Sequence, residues 1–210
     1  MINLQNITKT YKDISLFENI NLKITKQKTK IKGENGTGKS VLLKMIVGYS
    51  TPNEGHVFYD NKQIGKDSDF LKNAGVSINA PQFVKSWSGL ENLNYLREIC
   101  HICSQDDLNA LIQYFGLEKD IHKKYKTYSL GMQQKLRIIQ AVMDKPQYLI
   151  LDEPFDALDK KSKQLTKDFL NQYLSEDKNR QLIYTSHNEE DDNFADEIFE
   201  INDKQIEQIK

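Results

Sequence analysis

The sequence predicts an α/β fold built on a mostly parallel sheet, and three observations support this. Continuous apolar runs such as Tyr148-Leu149-Ile150-Leu151 and Leu182-Ile183-Tyr184-Thr185 read as strands buried on both faces. Segments with helical spacing alternate with them, as parallel crossovers require. A glycine-rich loop, Gly33 to Gly38, opens into the helical run Lys39–Val47. With 210 residues, four prolines, no internal repeat and no Pro/Gly/Ser-rich linker, the chain is expected to be one unit over residues 1–210.

The elements follow in order. Ile2-Asn3-Leu4, Leu16-Phe17 and Ile20–Ile24 read as short strands. The strand entering the glycine loop, Thr29-Lys30-Ile31-Lys32, is too polar for a central strand, so its lysines call for an edge position or a solvated mouth. Gly48 is a stop for the Lys39–Val47 helix, and Asp60-Asn61-Lys62 is a hairpin turn between His56–Tyr59 and Gln63-Ile64. The middle is helical. Leu93, Leu96, Cys100 and Cys103 share one face, and Ser104 with Asp107 three residues on resembles a cap for a helix ended by Gly116. A further helix runs from about Leu130 to Met143, closed before Pro146. Leu165, Phe169 and Tyr173 mark another, and Glu197–Ile201 is a last strand.

Composition narrows the function. Lys and Arg number 29 against 30 Asp and Glu, a net charge of −1, which argues against nucleic acid as the main partner. No apolar stretch approaches the roughly 18 residues of a membrane span, the N-terminus has no signal-peptide pattern, and two cysteines make no disulfide framework. A cytoplasmic chain is expected.

Two motifs carry chemistry. Gly33-Glu34-Asn35-Gly36-Thr37-Gly38-Lys39-Ser40 fits G-x-x-x-x-G-K-[ST] at every fixed position. Glycines let successive backbone amides turn toward an anion, and the following helix offers its positive end. Lys39 adds charge near the β and γ phosphates, and the Ser40 hydroxyl suits Mg²⁺. The plain alternative is a glycine turn capping a helix beside a surface lysine. Asp152 and Glu153 end the strand Tyr148–Leu151, at the sheet edge where α/β ligands bind. Asp152 suits a Mg²⁺ ligand and Glu153 a general base that polarises water.

The order of these motifs, with Tyr128-Ser129-Leu130-Gly131-Met132-Gln133-Gln134 between them and Ala157-Leu158-Asp159 and Thr185-Ser186-His187 after them, resembles the ATP-binding cassette (ABC) ATPases over essentially the whole chain. The resemblance implies a P-loop NTPase core with a mostly parallel sheet, an N-terminal antiparallel β subdomain and an α-helical subdomain inserted at about 80–140. It implies ATP held by Tyr11, Gly33, Glu34, Asn35, Gly36, Thr37, Gly38, Lys39, Ser40 and Val41. Tyr11 would stack on adenine, or else be a half-buried strand tyrosine. Ser129, Gly131 and Asp159 would act in trans across a dimer, and His187 would contact the γ-phosphate and support Glu153 in catalysis. Mg²⁺ would be held by Ser40, Asp152 and an amide at Asn79, or Gln82 if the register slips by one turn.

The variant Ser129-Leu130-Gly131-Met132, in place of the usual Ser-Gly-Gly-Gln, resembles a branch rich in exporters of peptides and drugs. The expected function is thus the ATPase subunit of an ABC transporter. It would dimerise with a second nucleotide-binding subunit, drive a separate integral membrane permease, of the export kind by that branch, and sit peripherally on the inner face of the cell membrane. The rival is a soluble single-cassette ATPase, such as one for iron–sulfur assembly. Three weaker signals complete the reading. Cys100-His101-Ile102-Cys103 lacks a second cysteine pair, so buried thiols are expected rather than a metal site. Phe83, Trp87 and Leu90 form either an exposed patch or a small core, and Lys123-Lys124-Tyr125-Lys126 is expected as a solvated loop.

Overall fold

A computed structural model describes residues 1–11, 13–79 and 83–210, and among them ten strands and five α-helices organise the fold. The strands are β1 (Ile2–Tyr11), β2 (Ile14–Ile24), β3 (Lys28–Lys32), β4 (Glu54–Tyr59), β5 (Lys62–Gln63), β6 (Ala74–Ser77), β7 (Tyr148–Leu151), β8 (Gln181–Thr185), β9 (Glu197–Asn202) and β10 (Gln205–Gln208). The helices are α1 (Lys39–Val47), α2 (Gly89–Cys100), α3 (Gln105–Tyr114), α4 (Leu130–Val142) and α5 (Lys160–Ser175).

They form two sheets. An antiparallel sheet runs β2-β1-β4-β5, and a larger one runs β10-β9-β3-β8-β7-β6, parallel except for the β10 edge. Helix α1 supplies Leu42, Leu43, Met45, Ile46 and Val47 to one core, shared with Ile2, Leu4, Leu22, Ile150 and Ile183 from both sheets. On the opposite face, Leu149, Leu151, Leu182 and Tyr184 pack with α2–α5. The strand period of two therefore sends neighbouring residues of β7 into different cores, which is why that strand is apolar throughout.

Several sequence expectations hold. Gly48 closes α1 at φ 91°, Asp60 and Asn61 turn the hairpin with positive φ, and the Ser104 hydroxyl caps α3 by accepting from the Asp107 amide at 3.0 Å. Others are corrected. The β2 run is one strand with a left-handed residue at Asn19, not two pieces. Strands β6 and β10 lack an alternating pattern and were not expected.

Strand β3 is central, between β9 and β8, rather than at an edge. Its middle lysine, Lys30, is fully buried and ion-paired with Asp192, so the charge is satisfied inside the protein and not at a mouth. Helix α2 ends at Cys100, which is exposed, and only Cys103 is buried, beyond the helix. Phe83 is buried, Leu90 is half-buried and Trp87 is exposed, packed edge-on against Tyr95. In the basic loop the lysines are exposed but Tyr125 is buried.

Helix α4 meets the sheet where β6 has no side chain. A Cβ on Gly75 would overlap the carbonyl oxygen of Ala141 in α4. Gly75→Ala is therefore expected to push α4 off β6 and destabilise the protein by about 2 kcal/mol or more, read as a lower midpoint in urea unfolding.

Candidate functional site

Parallel pairing aligns the strand ends that carry the motifs. Ile31 of β3 lies opposite Thr185 of β8, and Leu151 of β7 lies between Tyr184 of β8 and Ser77 of β6. The chain leaves these ends into the glycine loop, Asp152-Glu153, Ser186-His187 and Asn79. All four lie at one edge, where the glycine loop, Asp152-Glu153 and Asn79 border a cavity of about 520 Å³ whose lining includes Asn35, Gly36, Lys39 and Ser40 but neither Ser186 nor His187.

The glycine loop is built for an anion. Gly38, φ 101°, precedes helix α1 as its cap and no side chain caps the first turn, so the leading amides have no side-chain acceptor. A Cβ at Gly38 would also lie 2.9 Å from the Phe17 ring. The Lys39 ammonium is buried and donates to the carbonyls of Gly33 and Glu34 at 2.8 and 2.9 Å. This holds its charge across the loop.

Asp152 joins three elements. Its Oδ2 accepts from the Ser40 hydroxyl of α1, and its Oδ1 from the Thr185 hydroxyl of β8, both at 2.6 Å. The Thr185 oxygen in turn accepts from the Glu153 amide at 2.9 Å. Serine hydroxyl and aspartate oxygens form a hard donor set that suits Mg²⁺, and Asn79 lines the same cavity. Asn79 has φ 51°, and the competing Gln82 lies outside the described residues.

Glu153 sits in the left-handed region at φ 49°, a conformation unusual for a non-glycine residue and typical of a constrained site. The His187 Nδ1 lies 3.6 Å from its Oε1. Asp156 completes a group of three whose ligand atoms fall within 4.8 Å of one another. Burial holds the Glu153 carboxyl above the usual range, and the charges of Asp156 and Asp152 raise it further, against a lowering by Lys39.

The remaining expected residues are spread around this centre. Tyr11 is exposed at the end of β1 and does not line the cavity, whereas Leu16 of β2 does. Ser129 caps α4, accepting from the Met132 amide at 3.2 Å, and Asp159 caps α5, accepting from the Ser162 amide at 2.9 Å. Ser129 and Gly131 do not line the cavity, but Leu130 between them does and is largely exposed.

Four residues escaped sequence reasoning: Thr185, Asp156, Gln134 and Arg137. Gln134 donates to the Pro154 carbonyl at 3.0 Å and accepts from Arg137 at 3.2 Å, both facing the cavity. Thr185 was the one with a usable signal, a small polar residue ending a buried strand at the ligand edge.

The raised Glu153 carboxyl has a consequence for stability. Its protonated form is favoured in the fold, so its contribution is complete below the ordinary value of 4.5 and is lost as pH rises through the raised value. Glu153→Gln is expected to melt higher than the wild type at about pH 8 and to converge with it at about pH 3.5, in paired thermal melts.

The comparisons agree with this geometry. The ABC transporter family model matches residues 17–156. The chain is 35% identical over 192 residues to the uncharacterized ABC transporter ATP-binding protein YybJ of Bacillus subtilis (strain 168), covering 91% of this chain and 87% of YybJ. It is 33% identical over 190 residues to the bacitracin transport ATP-binding protein BcrA of Enterococcus faecalis, covering 89% of this chain but 61% of BcrA. Among solved structures, the dimeric structure of MJ0796, a bacterial ABC transporter cassette, superposes with a TM-score of 0.85 at 24% identity, covering 100% of this chain and 99% of that one. This chain belongs to the ATP-binding subunits of the ABC transporter family, which bind and hydrolyse ATP.

Proposed function

We propose that this chain binds and hydrolyses Mg·ATP at the cavity described above and that ATP-driven closure of a dimer powers a separate membrane permease, in the export direction. The observation that carries the reading is the convergence at one sheet edge of an uncapped helix start, a buried lysine, and an Asp152–Glu153–His187 cluster. The backbone from Gly36 to Val41 and Lys39 hold the phosphates. Ser40 and Asp152, with Asn79, would hold Mg²⁺, which when bound would offset negative charge on the phosphates.

Glu153 takes a proton from water as it attacks, and its raised carboxyl keeps it a better base than a solvated glutamate. His187, 3.6 Å from Glu153, supports that water and the γ-phosphate. In a head-to-tail dimer, Ser129 and Gly131 at the start of α4 would meet the partner's nucleotide, with Asp159 at the interface. Tyr11, exposed at the end of β1, is free to meet adenine.

No helix among the described residues is long and apolar enough to cross a membrane, which agrees with a permease on another chain. A peripheral place on the inner membrane face follows from that partnership. Relatives named for bacitracin transport and lantibiotic transport support a peptide cargo, and one named for spermidine/putrescine import lies within the same similarity range.

Lys39→Ala is expected to abolish ATP binding by calorimetry while retaining the fold. Glu153→Gln is expected to bind ATP, lose turnover by at least about 100-fold and accumulate as an ATP-bound dimer in size exclusion. Retained affinity in the first, or unchanged hydrolysis in the second, contradicts these assignments. In purification from detergent-solubilised membranes the chain is expected to bring down a polytopic membrane protein; recovery with a soluble scaffold instead would favour the assembly ATPase.

A further inference from the structure

The segment after His187 is held by an ion-pair clamp that the ATP site as described does not use. Residues Glu189–Phe194 form a 3-10 turn that begins with four consecutive acids, Glu189, Glu190, Asp191 and Asp192. Lysines from two elements close on it. Lys30 of β3 ion-pairs with Asp192 and donates to the Asn188 carbonyl at 2.7 Å. Lys32 lies 3.5 Å from Glu189, and Lys163 and Lys167 of α5 lie 2.9 and 2.8 Å from Asp191.

The same clamp grips both residues flanking the histidine. The Ser186 hydroxyl donates to Asp191 Oδ2 at 2.6 Å and accepts from the Asn188 amide at 3.1 Å. The Tyr184 hydroxyl donates to the Asp191 carbonyl at 3.0 Å. Burial works to raise the Asp191 carboxyl, but hydrogen bonds from Lys167, Ser186 and Lys163 outweigh it and hold it below the usual range.

Stability alone is a poor reason for this arrangement. Lys30 is fully buried in a central strand, where an aliphatic side chain usually serves as well or better than an ion pair. What the lysine provides is direction. It sits three residues before Gly33, so one ammonium ties the strand that feeds the phosphate loop to the peptide that follows His187.

We infer that Lys30, acting with Ser186 and Asp191, is a positioning residue that fixes the His187 backbone relative to the phosphate loop and so sets the approach of its imidazole to Glu153. This rests on the reading of His187 as a participant in hydrolysis. Loss of the clamp leaves the phosphate-loop contacts to the nucleotide intact and misplaces one group of the transition state, so it lowers kcat and spares KM.

The test measures steady-state ATP hydrolysis by the full chain, with circular dichroism and thermal melts on each variant. Lys30→Met and Ser186→Ala are each expected to lower kcat about tenfold with KM for ATP within about twofold of the wild type. Lys28→Met, whose lysine on the same strand pairs with Asp196 at 3.5 Å and lies over the Phe194 ring at the far end of the turn, without a bond to Ser186, Asn188 or Asp191, is expected to keep kcat within about twofold even if its melting point falls.

The inference is overturned if Lys30→Met and Ser186→Ala keep wild-type kcat, if their loss lies in KM, or if Lys28→Met loses as much. Should Lys30→Met fail to fold, Ser186→Ala carries the same comparison. His187→Ala in the same assay separates the two claims. Wild-type turnover there removes the role of the histidine itself, whereas a loss there with full activity in Ser186→Ala removes only the clamp.

Discussion

The carboxylate of Asp152 is the joint on which the site depends. One oxygen takes the Ser40 hydroxyl from the first turn of α1, and the other takes Thr185 from the end of β8. A single side chain at the end of β7 thereby fixes the phosphate loop, the histidine strand and the Glu153 amide in one frame. Because the bonds are charge-assisted and partly shielded from water, each is stronger than an ordinary surface hydrogen bond. Removing the carboxylate would free three elements at once.

That joint exists because the strands are parallel and in register. The sheet is sealed on both faces, by α1 and the antiparallel sheet on one side and by α2–α5 on the other. A strand buried on both faces cannot slip by one residue without exchanging its two apolar sets between cores, so the register is strongly specified. The loops at its end inherit that precision. Catalytic groups on flexible loops thus acquire the positional accuracy of the sheet.

Charge inside the protein is used in two ways. Lys39 is held across the glycine loop by two backbone carbonyls, its ammonium positioned for phosphate with no ion pair among the described residues. Lys30, by contrast, is neutralised by Asp192 and reaches the backbone beside His187. The two lysines lie nine residues apart in sequence, on either side of the same loop. One serves the anion and the other the architecture around it.

Much of the site was legible in the amino-acid order because its chemistry is local. The phosphate loop needs glycines, a lysine and a serine in one continuous stretch, and Asp152-Glu153 follow directly on an apolar strand. Tyr11 was less secure, since an aromatic near a strand end does not say which way it faces. The central place of β3 was not legible: Lys30 reads as polar in any window, and the Asp192 that neutralises it lies 162 residues away. Strand β6 was missed for a similar reason, as Ala74-Gly75-Val76-Ser77 has no apolar alternation and is a strand because β7 pairs with it. The sequence by itself determined the local chemistry, the helix ends and the apolar strands, because those depend on neighbours along the chain. Tertiary structure alone decided which strand is central, which carboxylate meets which lysine, and what holds His187, because those depend on partners brought together only when the sheet closes.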